Sequence, residues 1–156
     1  MQHRPRQRHL LKRCRIATGA GLGALALTLL APAPSPLRAE DGALAVELNK
    51  LEAQGQGCRA YFVINNKSAT EYQSMKLDIV LFRPDAVIAK RFAVDLAPLK
   101  ANKRSVKLFD IEGTPCDQVG NFLINDVMEC KTDAGPVADC MKDITVSTLT
   151  NVQLTK

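Results

Sequence analysis

The chain has 156 residues and a net charge of +5, and that charge is distributed unevenly. The first 39 residues hold seven Lys and Arg residues and no acid, so residues 40–156 hold 14 basic and 16 acidic residues, a net charge of −2. A nucleic-acid-binding domain is expected to carry a basic stripe and a high isoelectric point. The composition of residues 40–156 therefore argues against nucleic acid as a partner.

Histidine is confined to the same N-terminal segment, at His3 and His9. Residues 40–156 therefore contain no imidazole, which Ser-His-Asp and Cys-His nucleophile activation use as a base and which His-bearing zinc and copper sites use as a ligand. We expect no catalytic residue, no metal site and no cofactor in this part of the chain. The sequence predicts that the protein is not an enzyme.

Residues 1–39 have the three regions of a secretory signal peptide: a basic stretch, an apolar stretch and a Pro-rich run that ends at Ala39. Leu37 and Ala39 favour cleavage after Ala39, with cleavage after Ala33 as an alternative. The apolar stretch of 16 residues contains Gly19, Gly21 and Gly23. Since a spanning helix needs about 20 residues, an uncleaved anchor is the less favoured reading. We predict a helical signal peptide, export to the periplasm by the general secretory or twin-arginine route, and no stable membrane span after cleavage.

Alternation of apolar and polar residues dominates the chain from Ala43 onward, and this period of two is typical of β-strands. Residues that favour chain reversal separate the alternating runs at 54–57, 65–71 and 83–86. No sustained helical period follows Leu30. The predicted strands lie at Leu44–Leu48, Cys58–Ile64, Met75–Leu81, Val87–Val94, Arg104–Phe109, Phe122–Met128 and Ile144–Leu154.

These short strands predict an all-β fold in which residues 40–156 form a single domain. About seven strands with regular turns favour an antiparallel immunoglobulin-like β-sandwich, because a sheet with one apolar face buries that face against another sheet. A small closed barrel is the alternative.

Four cysteines remain in residues 40–156, namely Cys58, Cys116, Cys130 and Cys140. An even number at wide spacing, without a CxxC pair, predicts two structural disulfides in an oxidising compartment. Four cysteines allow three pairings. We expect Cys130 to bond Cys140, because Gly135-Pro136 between them can reverse the chain, and Cys58 to bond Cys116.

A cluster of cations in the segment LKANKRSVK is the candidate interaction site. Lys100, Lys103, Arg104 and Lys107 lie close together in the sequence and can receive an anionic partner. The competing interpretation is a solvated turn followed by an edge strand, where lysines discourage aggregation between sheets. The charge is also polarised along the chain, since residues 40–107 have a net charge of +3 and residues 108–156 a net charge of −5.

The run YFVINNKSATEYQSMKLDIVLFRPDAVIAKRFAVDLAPLKANKRSVKLFDI resembles small envelope β-sandwich modules with an Asn-rich turn before a strand, a hairpin after "LF" and an "L.PL...K" segment. It also resembles a group of exported proteobacterial proteins labelled by their twin-arginine (Tat) signal sequence. The resemblance departs at "RPDAV", where such modules commonly have Asp-x-x-Gly. It implies a fold and a compartment but no activity.

These observations lead to two functional hypotheses. The first is a non-catalytic, exported interaction or accessory domain in the periplasm, whose partner is an unknown envelope protein or an anionic envelope component. The alternative is a periplasmic metal-handling protein with soft sulfur ligands, which requires free thiols. The candidate ligands of that alternative are Met128, Cys130, Cys140 and Met141.

Overall fold

The structure is a computed structural model that describes residues 42–156. These residues belong to one of two compact units in the chain, Arg38–Lys156. The predicted signal peptide and its cleavage site at Ala39 lie outside the described residues. Within 42–156, no helix has the length and apolar character needed to cross a membrane.

The described chain is built almost entirely from β-strands, which confirms the all-β prediction. In addition to nine strands, residues 42–156 contain one 3₁₀ turn at Cys116–Gln118 and one α-helical turn, α1, at Cys140–Asp143. The strands are β1 (Leu44–Gln54), β2 (Gly57–Asn66), β3 (Ser74–Phe82), β4 (Ile88–Asp95), β5 (Lys103–Ile111), β6 (Asn121–Thr132), β7 (Gly135–Pro136), β8 (Ile144–Thr148) and β9 (Gln153–Thr155).

The nine strands form two sheets. The first has the order β5, β2, β1, β8, and the second has the order β4, β3, β6, β7, with β9 also paired to β6. Most neighbours are antiparallel, but β8 runs parallel to β1 and β9 runs parallel to β6. The strands β5 and β4 therefore each form an edge of their sheet.

The core lies between the inward faces of the two sheets, as the alternating sequence predicts. Along β1 and β2, every second residue from Leu44 to Leu48 and from Cys58 to Ile64 is buried. Phe62 lies at the centre of an aromatic group, with its ring 5.8 Å from the rings of both Phe109 and Phe122 in edge-on contacts. The buried side chains form one continuous hydrophobic cluster that includes residues of both sheets.

Both disulfides have the pairing expected from the sequence. Cys58 at the start of β2 bonds Cys116, with Cα atoms 4.8 Å apart, and Cys130 in β6 bonds Cys140 at the start of α1, with Cα atoms 6.5 Å apart. These separations lie within the range that disulfide geometry requires. The chain reverses between Cys130 and Cys140 as expected, because Thr132 and Gly135 pair as β6 turns into β7.

The predicted strand arrangement requires three corrections. The sheets are mixed and not purely antiparallel, and residues 42–156 contain nine strands where about seven were expected. The predicted strand Ile144–Leu154 is in fact two strands in different sheets. The chain turns between these two strands, where Thr148 Oγ1 and Thr150 Oγ1 donate hydrogen bonds to the Val152 carbonyl oxygen at 2.9 and 3.1 Å. These side-chain hydrogen bonds take the place of the backbone hydrogen bonds of a sheet.

Candidate functional site

The basic cluster, which we define as Lys100, Lys103, Arg104 and Lys107, occupies the turn before β5 and the first half of β5. Successive side chains of a strand point to opposite faces of its sheet. Lys103 and Lys107 therefore share one face of β5, while Arg104 lies on the other. The structure brings the four residues into one region of the surface but divides their side chains between two faces.

The turn that carries Lys100 is held by a buried asparagine at the end of β2. Asn66 is 0% exposed, and its Nδ2 donates to the carbonyl oxygens of Thr70, Leu99 and Lys100 at 2.7, 3.3 and 3.1 Å. Its Oδ1 accepts hydrogen bonds from the backbone N and the Oγ of Ser68. Asn66 therefore ties the loop after β2 to the turn before β5 and fixes the backbone at Lys100.

Three cations of the basic cluster form neither an ion pair nor a side-chain hydrogen bond in the described part of the chain. Among residues 42–156, no carboxylate forms an ion pair with Lys100, Lys103 or Arg104. Lys107 differs, because its Nζ donates to the Ala97 carbonyl oxygen at 2.7 Å. The charge of three of the four side chains is thus exposed to solvent without internal compensation.

The charge asymmetry along the sequence is partly neutralised by folding. Arg59 on β2 binds Asp110 on β5 through two hydrogen bonds, 2.6 and 2.9 Å long, and Lys76 on β3 binds Glu129 on β6 at 3.0 Å. Each pair joins a cation of residues 40–107 to an acid of residues 108–156. The sequence polarity therefore produces cross-strand ion pairs, and these pairs do not include the cations of the basic cluster.

An open groove lies beside β5, between the two edge strands. It has a volume of about 510 Å³ and is lined by Lys90–Val94 of β4 and by Leu108–Glu112 at and after the end of β5. Lys90 Nζ crosses the groove and donates to the Glu112 carbonyl oxygen. The sandwich is therefore open on the side where β4 and β5 face each other.

A pair of exposed apolar side chains on β5 was not identified from the sequence. Val106 is 57% exposed and Leu108 is 49% exposed. They follow Arg104 at the same spacing of two, so all three share one face of the strand. The alternation in this strand predicts that these side chains share one face, but it does not predict that this face is exposed to solvent.

The carboxyl groups with displaced pKa values in residues 42–156 all have lowered values. The Lys131 ammonium, with help from Lys76, lowers the pKa of Glu129 to about 2. Hydrogen bonds from Arg91 and Asn125 lower the pKa of Asp78, and the Arg59 guanidinium lowers that of Asp110. These groups stay ionised near neutral pH, so they serve as ion-pair partners and not as proton donors.

The candidate ligands of the metal-handling alternative also lie together. Met128, Cys130, Cys140 and Met141 all contribute to a surface groove of about 460 Å³ beside β6 and α1. Cys130 and Cys140 are joined in a disulfide there, whereas metal ligation by cysteine uses the thiolate. Within 42–156, no cluster of three or more His, Cys, Asp or Glu residues has the proximity needed to hold a metal ion.

No family model, curated protein or solved structure matches this chain.

Proposed function

We propose that this protein is a non-catalytic interaction module that binds an anionic partner of the cell envelope through the basic cluster. The observation that carries the proposal is the uncompensated charge of the exposed side chains Lys100, Lys103 and Arg104, in a chain whose other cations include several bound in ion pairs. Grouped charges of one sign attract partners of the opposite sign and speed their encounter.

A periplasmic location is part of the proposal. The signal-like segment of residues 1–39 and the resemblance to exported proteins with twin-arginine signals support it. Two disulfides are compatible with an oxidising compartment, where such bonds persist. The partner is then an envelope protein or another anionic component of the envelope.

We also infer that the sandwich is immunoglobulin-like. In immunoglobulin domains the second strand pairs between the first and fifth main strands, and the third lies beside the sixth in the opposite sheet. The neighbours β5, β2, β1 and the neighbours β3, β6 correspond to that arrangement, whereas β4 lies in the sheet of β3 and β6, as the additional strands of variable-type domains do. Such sandwiches commonly serve recognition, and their edges and loops provide the contact surfaces.

The proposal that the protein is non-catalytic rests on the chemistry of its side chains. Residues 40–156 contain no histidine. The carboxyl groups Asp78, Asp110 and Glu129 are held ionised by cations, so they are poor candidates for general acids. The Cys/Met alternative gains no comparable support, because it requires thiolates at Cys130 and Cys140.

The proposal is tested by affinity capture from an envelope extract, with the exported protein as bait. The variant K100E/K103E should lose the captured anionic partner, and raising the salt concentration should weaken capture by the wild type, because exposed charges are screened. The variant K50E/K142E is the matched control, since it changes the net charge equally at two exposed lysines outside the cluster. Equal capture by K100E/K103E and the wild type would show that the cluster is not the binding site.

A further inference from the structure

The outer edge of β5 is a long, regular and unpaired strand edge. The strand β5 is the last in its sheet, and in the described part of the chain no strand pairs with its outer side. Its pairing with β2 runs for nine residues, Lys103–Ile111, without a register shift, whereas the β1–β2 pair has one between Leu48 and Lys50. No bulge or proline therefore disturbs the free backbone groups of β5.

The side chains along this edge also do not fully protect it against pairing with another strand. Val106 and Leu108 are 57% and 49% exposed, and a flat edge with exposed apolar side chains favours pairing with another strand. Lys107 is a charged residue of the kind that protects edges, but its Nζ is directed to the Ala97 carbonyl oxygen of its own chain. The edge is thus left open to addition of a strand.

We propose that the β5 edge pairs with the β5 edge of a second copy of this chain, antiparallel and around a two-fold axis at Lys107. In this register Arg104 lies opposite Asp110 of the second copy, and Val106 lies opposite Leu108. The two-fold axis repeats each pair, so four favourable cross-strand pairs form on one face. The first sheets of the two copies then join into one continuous sheet of eight strands.

The charges of the isolated chain fit this register. Arg104 has no acidic partner among residues 42–156, and the side chain of Asp110 remains 49% exposed while it accepts two hydrogen bonds from Arg59. A carboxylate accepts several hydrogen bonds, so Asp110 can hold Arg59 and the Arg104 of the second copy together. The two copies of Lys107 face each other at the axis, and the bond to Ala97 draws each ammonium group toward its own chain.

Self-association goes beyond the proposed function, although Arg104 belongs both to the basic cluster and to the dimer contacts. In the dimer Arg104 is paired, while Lys100 and Lys103 remain for the anionic partner. The two proposals can therefore fail independently: K100E/K103E tests capture of the anionic partner, and substitutions at Arg104, Asp110, Val106 and Leu108 test the dimer.

Sedimentation equilibrium of the exported protein tests the dimer. The wild type should show a reversible monomer–dimer equilibrium at concentrations below about 1 mM. R104D and D110R should each weaken the dimer by roughly tenfold or more, because like charges then lie opposite each other. An equimolar mixture of the two variants should restore it as a heterodimer, since the introduced aspartate then faces the introduced arginine and the native Arg104 faces the native Asp110 at the other end.

Two controls keep the result interpretable. K50D makes the same charge change on β1, away from the edge, and should leave dimerisation unchanged. D110R also removes the partner of Arg59, so a second pair of variants, V106E and L108K, repeats the mixing experiment without touching that ion pair. A wild type that is monomeric up to about 1 mM, or mixtures that associate no better than the single variants, would overturn the proposal.

Discussion

Asn66 is the single residue that most directly connects the core to the candidate site. Its fully buried amide donates to the Thr70 carbonyl oxygen in the loop after β2 and to the Leu99 and Lys100 carbonyl oxygens before β5. Removing one partner from a buried hydrogen-bonded group leaves the other without compensation. The residue therefore stabilises the fold and positions part of the basic cluster at the same time.

We predict that N66A lowers the free energy of unfolding by about 2–3 kcal/mol, because the carbonyl groups of Thr70, Leu99 and Lys100 each lose a hydrogen bond from the buried Asn66 amide. Denaturant unfolding monitored by circular dichroism measures this difference. N65A is the matched control on the opposite face of the same strand, and it should change the stability by less than about 0.5 kcal/mol. Equal effects of N66A and N65A would mean that the hydrogen bonds of the buried Asn66 amide do not stabilise the fold.

The sequence predicts the structural role of Asn66 only in part. Asn66 belongs to an Asn-rich run that favours a turn, and it also begins an Asn-Lys-Ser glycosylation sequon. Its burial shows that the amide is a structural donor and is not accessible as a glycosylation acceptor. Its partners Leu99 and Lys100 lie 33 and 34 residues away, so local sequence patterns cannot reveal them.

At the scale of elements, periodicity predicts where strands lie but not how they pair. The alternating runs match β1 to β6 closely, because one face of each sheet must be apolar to cover the core. The same alternation continues from Ile144 to Leu154 although the chain changes sheets at Leu149–Val152. Strand direction is also invisible to a period of two, which is why the parallel pairs β1–β8 and β6–β9 were missed.

Glu129 joins two elements, and its ion pairs predict a pH dependence. Its carboxylate binds Lys131 on its own strand at 2.7 Å and Lys76 on β3 at 3.0 Å, and these cations lower its pKa from 4.5 to about 2. Because the pKa is lower in the folded state, the stabilisation is fully present above pH 4.5 and is lost as the pH falls toward 2.

We therefore expect the wild type to have a higher Tm than E129Q at neutral pH, and the two melting curves to converge as the pH approaches about 2. Thermal unfolding across this pH range measures the difference. The control E71Q replaces a carboxylate without an ion pair in the described residues, and it should follow the wild type throughout. A Tm difference for E129Q that persists unchanged at low pH would contradict the role of the ion pairs.

At the scale of the whole molecule, composition and cysteine spacing determine most of the functional interpretation. The missing imidazole and the reversed charge of residues 40–156 argue, before any fold is known, against imidazole-dependent catalysis and a nucleic-acid partner. The short loop between Cys130 and Cys140 favours one pairing of three, and the structure has that pairing. The exposed face of β5 could not be predicted, because exposure depends on which strand forms the edge of the sheet.

The central claim is that the exported chain is a sandwich held by two disulfides that acts by binding and not by handling a metal. Intact mass spectrometry of the natively exported protein, under native and denaturing conditions without reductant, tests it most directly. We predict a chain that begins at Glu40, contains the bonds Cys58–Cys116 and Cys130–Cys140, and carries no metal. A chain that begins at Met1, or four free thiols with a bound metal ion, would contradict the account.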